Sequence, residues 1–189
     1  MVMMAGSETP KAKGSDSDLG PQASTSSESI NYFSEFGILI LRLGISILMV
    51  HNGLEKLQNP EGFSEFVISQ HLNFLPGDPL LWTYAAALTE IICPIGIAFG
   101  LATRLCALGL LSTMAFAITY HLFDTGLQGF PFAVVENHSY AFELSGVYAT
   151  TFFYLLCAGP GRISLAARNK AKANSVRMKL IKEINKVKI

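Results

Sequence analysis

The sequence predicts an all-α fold: an antiparallel bundle of four transmembrane helices, preceded by a disordered N-terminal tail and followed by a basic amphipathic C-terminal tail. Half of the 189 residues are hydrophobic and only 15% are charged, whereas soluble domains carry about 25% charged residues. Four apolar runs, at about residues 38–57, 80–101, 105–123 and 139–158, are each long enough to cross roughly 30 Å of hydrocarbon at 1.5 Å per residue. The formal net charge of zero hides an asymmetry, because residues 1–36 hold five acids against two lysines while residues 160–189 hold nine basic residues against Glu183.

Residues 1–36 read as the tail. From Ala5 to Ile30 they are dominated by Ser, Gly, Thr, Lys and Asp, too little apolar surface to offset the entropy of ordering the chain. They lack the apolar core of a secretory signal, so the first helix is expected to serve as its own uncleaved insertion signal. The acids Glu8, Asp16, Asp18 and Glu28 argue against a plastid-type transit segment.

The first run, 38–57, is apolar yet carries Arg42, His51, Glu55 and Lys56. At about 100° per residue, Gly44, Leu48, His51 and Glu55 fall in one arc and Arg42 points the opposite way. Ionisable groups at membrane depth usually face other helices or a wet cavity, so the His51 arc is expected to look inward. Glu55 and Lys56 read as an interfacial charge pair.

Gln58-Asn59-Pro60-Glu61-Gly62 breaks the chain, and Phe63–Leu75 reads as a short amphipathic piece on the membrane surface. Pro76-Gly77-Asp78-Pro79 ends it. The second run carries Glu90 near its middle, with Pro94 four residues later, and only Ala102, Thr103 and Arg104 separate it from the third run, so the two form a tight antiparallel hairpin. Asp124–His138 is a polar loop with Gly and Pro, and the fourth run is closed by Gly159-Pro160-Gly161. Cys93, Cys106 and Cys157 form no metal-spaced set and read as buried, inert thiols.

Lys and Arg near span ends mark the cytoplasmic side. Arg42, Arg104, Arg162 and the tail share one side, and the opposite loops carry Glu61, Glu65, Asp78, Asp124 and Glu136 with Lys56 as their one basic residue. Both termini are therefore expected in the cytoplasm. In the tail, Val176, Leu180, Ile181, Ile184 and Val187 share an arc while Lys179, Lys182 and Lys186 face away, the pattern of a helix lying on anionic headgroups.

This topology brings His51, Glu90, His121 and Glu143 to related depths. His51 lies about 9 Å and Glu90 about 15 Å from the non-cytoplasmic boundary at 1.5 Å per residue, and His121 and Glu143 sit close to that boundary. Glu143, Val147, Thr150 and Tyr154 share an arc that reads as a polar track. His71 and His138, in loops, have no defined partner. Haem suits the set poorly, since no attachment motif exists and the two helical histidines differ in depth by about 6 Å. A quinone suits it better: its carbonyls need donors such as His or protonated Glu, and its tail can lie among apolar helices. The sequence holds no nucleotide fingerprint, cysteine pair or Walker motif, so electrons would come from a partner subunit or from the substrate.

The blocks Leu41-Arg42-Leu43-Gly44 and His51-Asn52-Gly53-Leu54-Glu55-Lys56-Leu57, Glu90 followed by Gly100-Leu101-Ala102-Thr103-Arg104, and Glu143 followed by Ala158-Gly159-Pro160-Gly161-Arg162-Ile163-Ser164-Leu165 together resemble the DoxX family over about residues 36–165. Asn52 stands between the His and Gly of the first block, displacing the local spacing by one. The resemblance implies a small four-helix integral membrane protein, often described as a candidate oxidoreductase, with some relatives linked to quinones and others to redox-stress enzymes. The matching polar positions are Arg42, His51, Lys56, Glu90, Arg104 and Glu143.

The functional expectation is a quinone-linked oxidoreductase subunit in a bacterial inner (plasma) membrane, with a pocket of His51, Glu90, His121 and Glu143 open to the non-cytoplasmic side. His51 and protonated Glu90 would hold the head group, while Glu143 and His121 pass protons. Arg42, Lys56, Arg104 and Arg162 would be structural, with Arg42 and Arg104 anchoring the inner leaflet. Expected partners are the lipid bilayer, anionic headgroups at the tail and a redox protein, with no nucleic acid and no metal. The alternative is a noncatalytic scaffold or assembly partner that docks a redox enzyme through the tail. A transporter fits less well, because neither paired broken helices nor an internal repeat is evident.

Overall fold

The computed structural model describes residues 32–135 and 139–187. The expectations for the tail before Tyr32, for Glu136 and for His138 lie outside the described residues. Six helices follow in order: α1 (Tyr32–Gln58), α2 (Pro60–Phe63), α3 (Pro79–Phe99), α4 (Thr103–Asp124), α5 (Glu143–Ala158) and α6 (Leu165–Val187), with a π-helical segment, Ser64–Ser69, after α2. The described residues contain no strand.

Three of these helices, α1, α3 and α4, are long and apolar enough to cross a membrane. Helix α1 begins six residues before the predicted run, because Glu35 ties its first turn down by accepting the backbone N–H of Arg162 at 2.5 Å. Residues 32–36 are thus helix, not tail. The fourth predicted run starts late. Tyr140 and Phe142 cluster instead with Phe130 of the preceding loop, at ring-centroid distances of 5.2 and 5.5 Å, which leaves α5 with 16 residues, about 24 Å at 1.5 Å per residue.

Four helices share one core. Ile45 and Met49 of α1, Ile97 of α3, Ala107, Leu110 and Met114 of α4, and Tyr148, Phe152 and Leu155 of α5 form a single buried cluster. Their spacings of three, four and seven residues place them on one stripe per helix. Helix α3 packs between α1 and α4, and α5 lies against α4. Cys93 and Cys106 are half-buried, but Cys157 is exposed, against the prediction that all three are buried; it sits on the outer side of α5, next to the inward Leu155.

One end of the bundle is built around Arg42, which the sequence placed at the leaflet surface. The structure puts it inside, 1% exposed. Its guanidinium donates to the carbonyls of Ile97 at 2.8 Å and Ala98 at 2.7 Å, and to those of Pro160 at 2.6 Å and Ile163 at 2.9 Å. The last carbonyls of a helix have no partner within it, and a fixed fork of five N–H groups is suited to collecting several of them. Gly100 makes room: it has φ +69, and a Cβ there would lie 2.5 Å from Ser164 Cβ and 2.8 Å from an Arg42 nitrogen. Arg104 acts likewise, donating to the Cys157 carbonyl at the end of α5 at 3.2 Å. Arg162 reaches the same end through its backbone bond to Glu35.

The stretch Phe63–Leu75, predicted to lie on the membrane surface, instead packs against α3 through its π-helical segment, with Ile68 and Leu72 buried. Asn59 caps α2 by accepting the Gly62 N–H at 3.0 Å. Helix α6 is exposed from Arg168 to Lys186. The predicted basic tail helix is therefore present, with Val176, Leu180, Ile181 and Ile184 open on its surface.

Replacing Arg42 with Ala leaves the carbonyls of Ala98, Pro160 and Ile163 without their donor, while that of Ile97 keeps the Gly100 N–H; at about 1–3 kcal/mol per buried orphan, partly relieved by water at the bundle end, unfolding in detergent should become easier by about 3 kcal/mol or more. Arg42→Lys should recover only part of this, since an ammonium cannot reproduce the fork. Melting curves of the solubilised protein check both.

Candidate functional site

The opposite end, where α1 and α4 finish and α3 and α5 begin, encloses a cavity of about 630 Å³. Its walls come from α1 (Asn52, Lys56), α3 (Trp82, Thr89, Glu90), α4 (Ser112, Thr113, Met114, Tyr120, His121) and α5 (Leu144, Ser145, Tyr148). Phe63 at the end of α2 and Val67, Ile68 and Leu72 of the stretch after it close it. Most of this lining is hydrocarbon.

The polar pole follows from a glycine. Gly53 is buried against α3, where a Cβ would lie 2.7 Å from the Ala87 carbonyl oxygen and 3.1 Å from Glu90 Cβ. Only a residue without a side chain lets α1 approach so closely. One turn further on, Lys56 then meets the acid: its Nζ donates to Glu90 Oε2 at 2.5 Å, with the two side chains 16% and 2% exposed. The ammonium also donates to the Asn52 carbonyl at 3.4 Å and lies 5.1 Å from the centre of the Phe63 ring. Thr113 of α4 stands beside the Glu90 carboxyl. Pro94, which has no N–H, leaves the Glu90 carbonyl without its usual helical donor.

Of the four residues predicted to bound the pocket, the structure brings Glu90 and His121 to it. His51 and Glu143 are exposed and lie outside it. His51 is turned out because Arg42, on the other side of α1, is drawn in. Glu143 opens α5 and accepts the Tyr140 N–H at 3.1 Å, a helix-capping role. The predicted track of Glu143, Val147, Thr150 and Tyr154 is the outer face of α5, since Ser145, Tyr148, Phe152 and Leu155 are its buried residues. Glu55 is exposed and Lys56 pairs with Glu90 instead. His71 does have partners: its ring nitrogens lie 3.1 Å from the Phe66 carbonyl and 3.7 Å from the Asp124 carboxylate, and Tyr120 packs edge-on at 5.0 Å.

Sequence reasoning missed Asn52, Thr113 and Tyr148 as lining groups and Lys56 as the cation paired with Glu90. The signal was present in α1: Arg42, Ile45, Met49, Gly53 and Lys56 recur at intervals of three and four, a complete inward stripe on the face opposite His51. Among the described residues no three His, Cys, Asp or Glu side chains gather as a metal site would require.

Three apolar helices of membrane-crossing length around a shielded ion pair define a helical integral membrane protein. Residues 37–122 match the DoxX family model. The match runs from α1 through nearly all of α4, so it includes Gly53, Lys56, Glu90 and His121 but ends before α5 and the Gly159-Pro160-Gly161 turn. No curated protein and no solved structure matches the chain.

Breaking a buried ion pair from one side strands a charge, at a cost of about 3–5 kcal/mol, whereas an apolar pair of similar volume is often neutral. Lys56→Met is accordingly expected to lower the melting temperature sharply and Lys56→Met/Glu90→Met to restore most of it. A double variant as unstable as the single one would mean that the two groups are not coupled.

Proposed function

We propose that the chain is a four-span membrane subunit that holds a quinone head group in the 630 Å³ cavity and works with a partner redox protein. The observation that carries this reading is the placement of one half-buried cation, Lys56 held by the buried Glu90, in a mostly apolar chamber. That is the usual build of a small-molecule site, in which hydrocarbon walls supply affinity and a few polar groups set orientation. The residues suit a quinone. Lys56 and the Asn52 amide can donate to a carbonyl oxygen, Trp82 and Tyr148 offer flat apolar walls, and the isoprenoid tail can leave between helices. When bound, a quinone supplies two-electron redox chemistry, with electrons delivered by the partner. His121, next to Tyr120 in the wall, can carry protons from the aqueous side.

In this reading α5 is the fourth span. Arg104, Arg162 and the cations of α6 lie at the cytoplasmic face and both termini are cytoplasmic, in a bacterial inner membrane. Helix α6 rests on anionic headgroups, each cation adding about 1 kcal/mol. The second reading, a noncatalytic scaffold, is favoured by one observation: α6 is exposed from Arg168 to Lys186, as a docking surface would be.

Mild-detergent preparations should carry quinone, detected by mass spectrometry of the extracted lipid, and added quinone should raise the melting temperature. Asn52→Leu, which spares the ion pair, should cut the co-purifying quinone about 10-fold, equivalent to about 1.4 kcal/mol; removal of residues 168–189 should not change it. Preparations with no quinone and no thermal response, in which loss of α6 instead releases a bound redox enzyme, would favour the scaffold.

A further inference from the structure

The α3–α4 hairpin brings together two thiols that the quinone reading does not use. Cys93 and Cys106 are thirteen residues apart and half-buried, and the Cys93 thiol stands beside that of Cys106 across the seam between the two helices. The register explains the meeting. A Cβ on Gly109 would lie 3.6 Å from Cys93 Sγ, and one on Gly96 would lie 2.8 Å from Cys106 Sγ. A cysteine and a glycine three residues apart on α3 therefore face a cysteine and a glycine three residues apart on α4, each sulfur over the other helix's glycine. Small residues let two membrane helices approach closely, as a disulfide with its Cβ atoms about 3.8 Å apart requires.

We propose that Cys93 and Cys106 are a dithiol–disulfide couple that hands two electrons to the quinone, an inference that rests on the quinone reading of the cavity. In this step two S–H bonds break and one S–S bond forms between α3 and α4, while two electrons and two protons pass to the quinone, whose carbonyl oxygens become hydroxyls. Gly109 and Thr89 belong to the cavity wall. Cys93 Sγ lies behind that wall at Gly109, where no side chain thickens it. Lys56, Asn52 and His121 can give protons but not electrons, and the thiol pair is the two-electron donor set beside them.

The couple can be reset from the other side. Cys106 is three residues into α4, about 5 Å from the hairpin end, within reach of an external thiol. Thiol–disulfide exchange there cleaves the Cys93–Cys106 bond and turns two external thiols into a disulfide. In the proposed topology the hairpin end faces the cytoplasm, a reducing compartment. The partner that delivers electrons is then a thiol reductant.

The test uses the full chain in lipid nanodiscs, reduced and then freed of reductant, with Cys157→Ser as background because Cys157 is the exposed thiol. The probe is duroquinone, whose ring has no free position for a thiol to occupy. It should consume both remaining thiols, with a mass loss of two hydrogens per chain and about one quinol formed. Reduced glutathione should then return both thiols. Cys93→Ala and Cys106→Ala should each cut the quinol yield at least about 10-fold while keeping the rise in melting temperature that quinone binding gives. A chain that duroquinone stabilises but whose thiols stay free would overturn the couple and leave the cavity reading standing; free thiols with no thermal response would remove both. A disulfide formed between chains instead of within one would also overturn the couple.

Discussion

The guanidinium of Arg42 orders the rest of the structure. It is buried beside carbonyls at the end of α3 and in the turn after α5, and so ties α1 to two elements distant in sequence. The partial negative charge at a helix C-terminus offsets the cation without a carboxylate, so a permanently charged residue can sit inside an apolar protein. Its neighbours have little freedom to vary. Gly100 must leave space for it, Ser164 packs on that glycine, and the Gly161 turn rests on Glu35.

Fixing Arg42 inward fixes the rotation of α1 about its axis, and that rotation decides what lies at the other end. Ile45 and Met49 enter the core, Gly53 meets α3, and Lys56 arrives at Glu90. The two ends therefore divide the labour. One is closed by cations on backbone carbonyls, and the other is held open around a cation and an acid from different helices. A lysine on a carboxylate forms a compact point contact with protons left for a third group, which is what a chamber with room beside the pair can use.

Much of this was legible in the sequence. The helices α1, α3 and α4, the tight α3–α4 hairpin and the basic last helix follow from apolar runs, turn residues and charge periodicity. The importance of Glu90, and the contrast between Arg42 and the His51 arc, were equally plain. What periodicity could not decide was which of the two marked faces of α1 points in. A preference for burying ionisable groups applies to Arg42 as much as to His51, and the tie is broken by contacts with Ile97, Ala98, Pro160 and Ile163 that are 55 to 121 residues away. An inward His51 arc leaves Glu55 as the nearest acid to Lys56, whereas the inward Arg42 stripe brings Lys56 to Glu90 and Asn52 to the cavity wall. The start of α5 failed for a different reason: the aromatic cluster of Phe130, Tyr140 and Phe142 competes with helix for the same residues.

Helix α5 is short, and the shortness lies on the side of the chamber. With α5 as the fourth span of the proposed topology, its 16 residues fall about 6 Å below the usual hydrocarbon thickness, and a bilayer meets such a mismatch by thinning locally at a fraction of a kcal/mol per Å. In the proposed topology the thinned annulus lies along α5, whose first turn contributes Leu144 and Ser145 to the cavity wall. In that proposed arrangement headgroups and their water are drawn down toward the chamber, so a lipid-soluble molecule arriving from the leaflet would meet a shorter climb to the ion pair than it would beside α1.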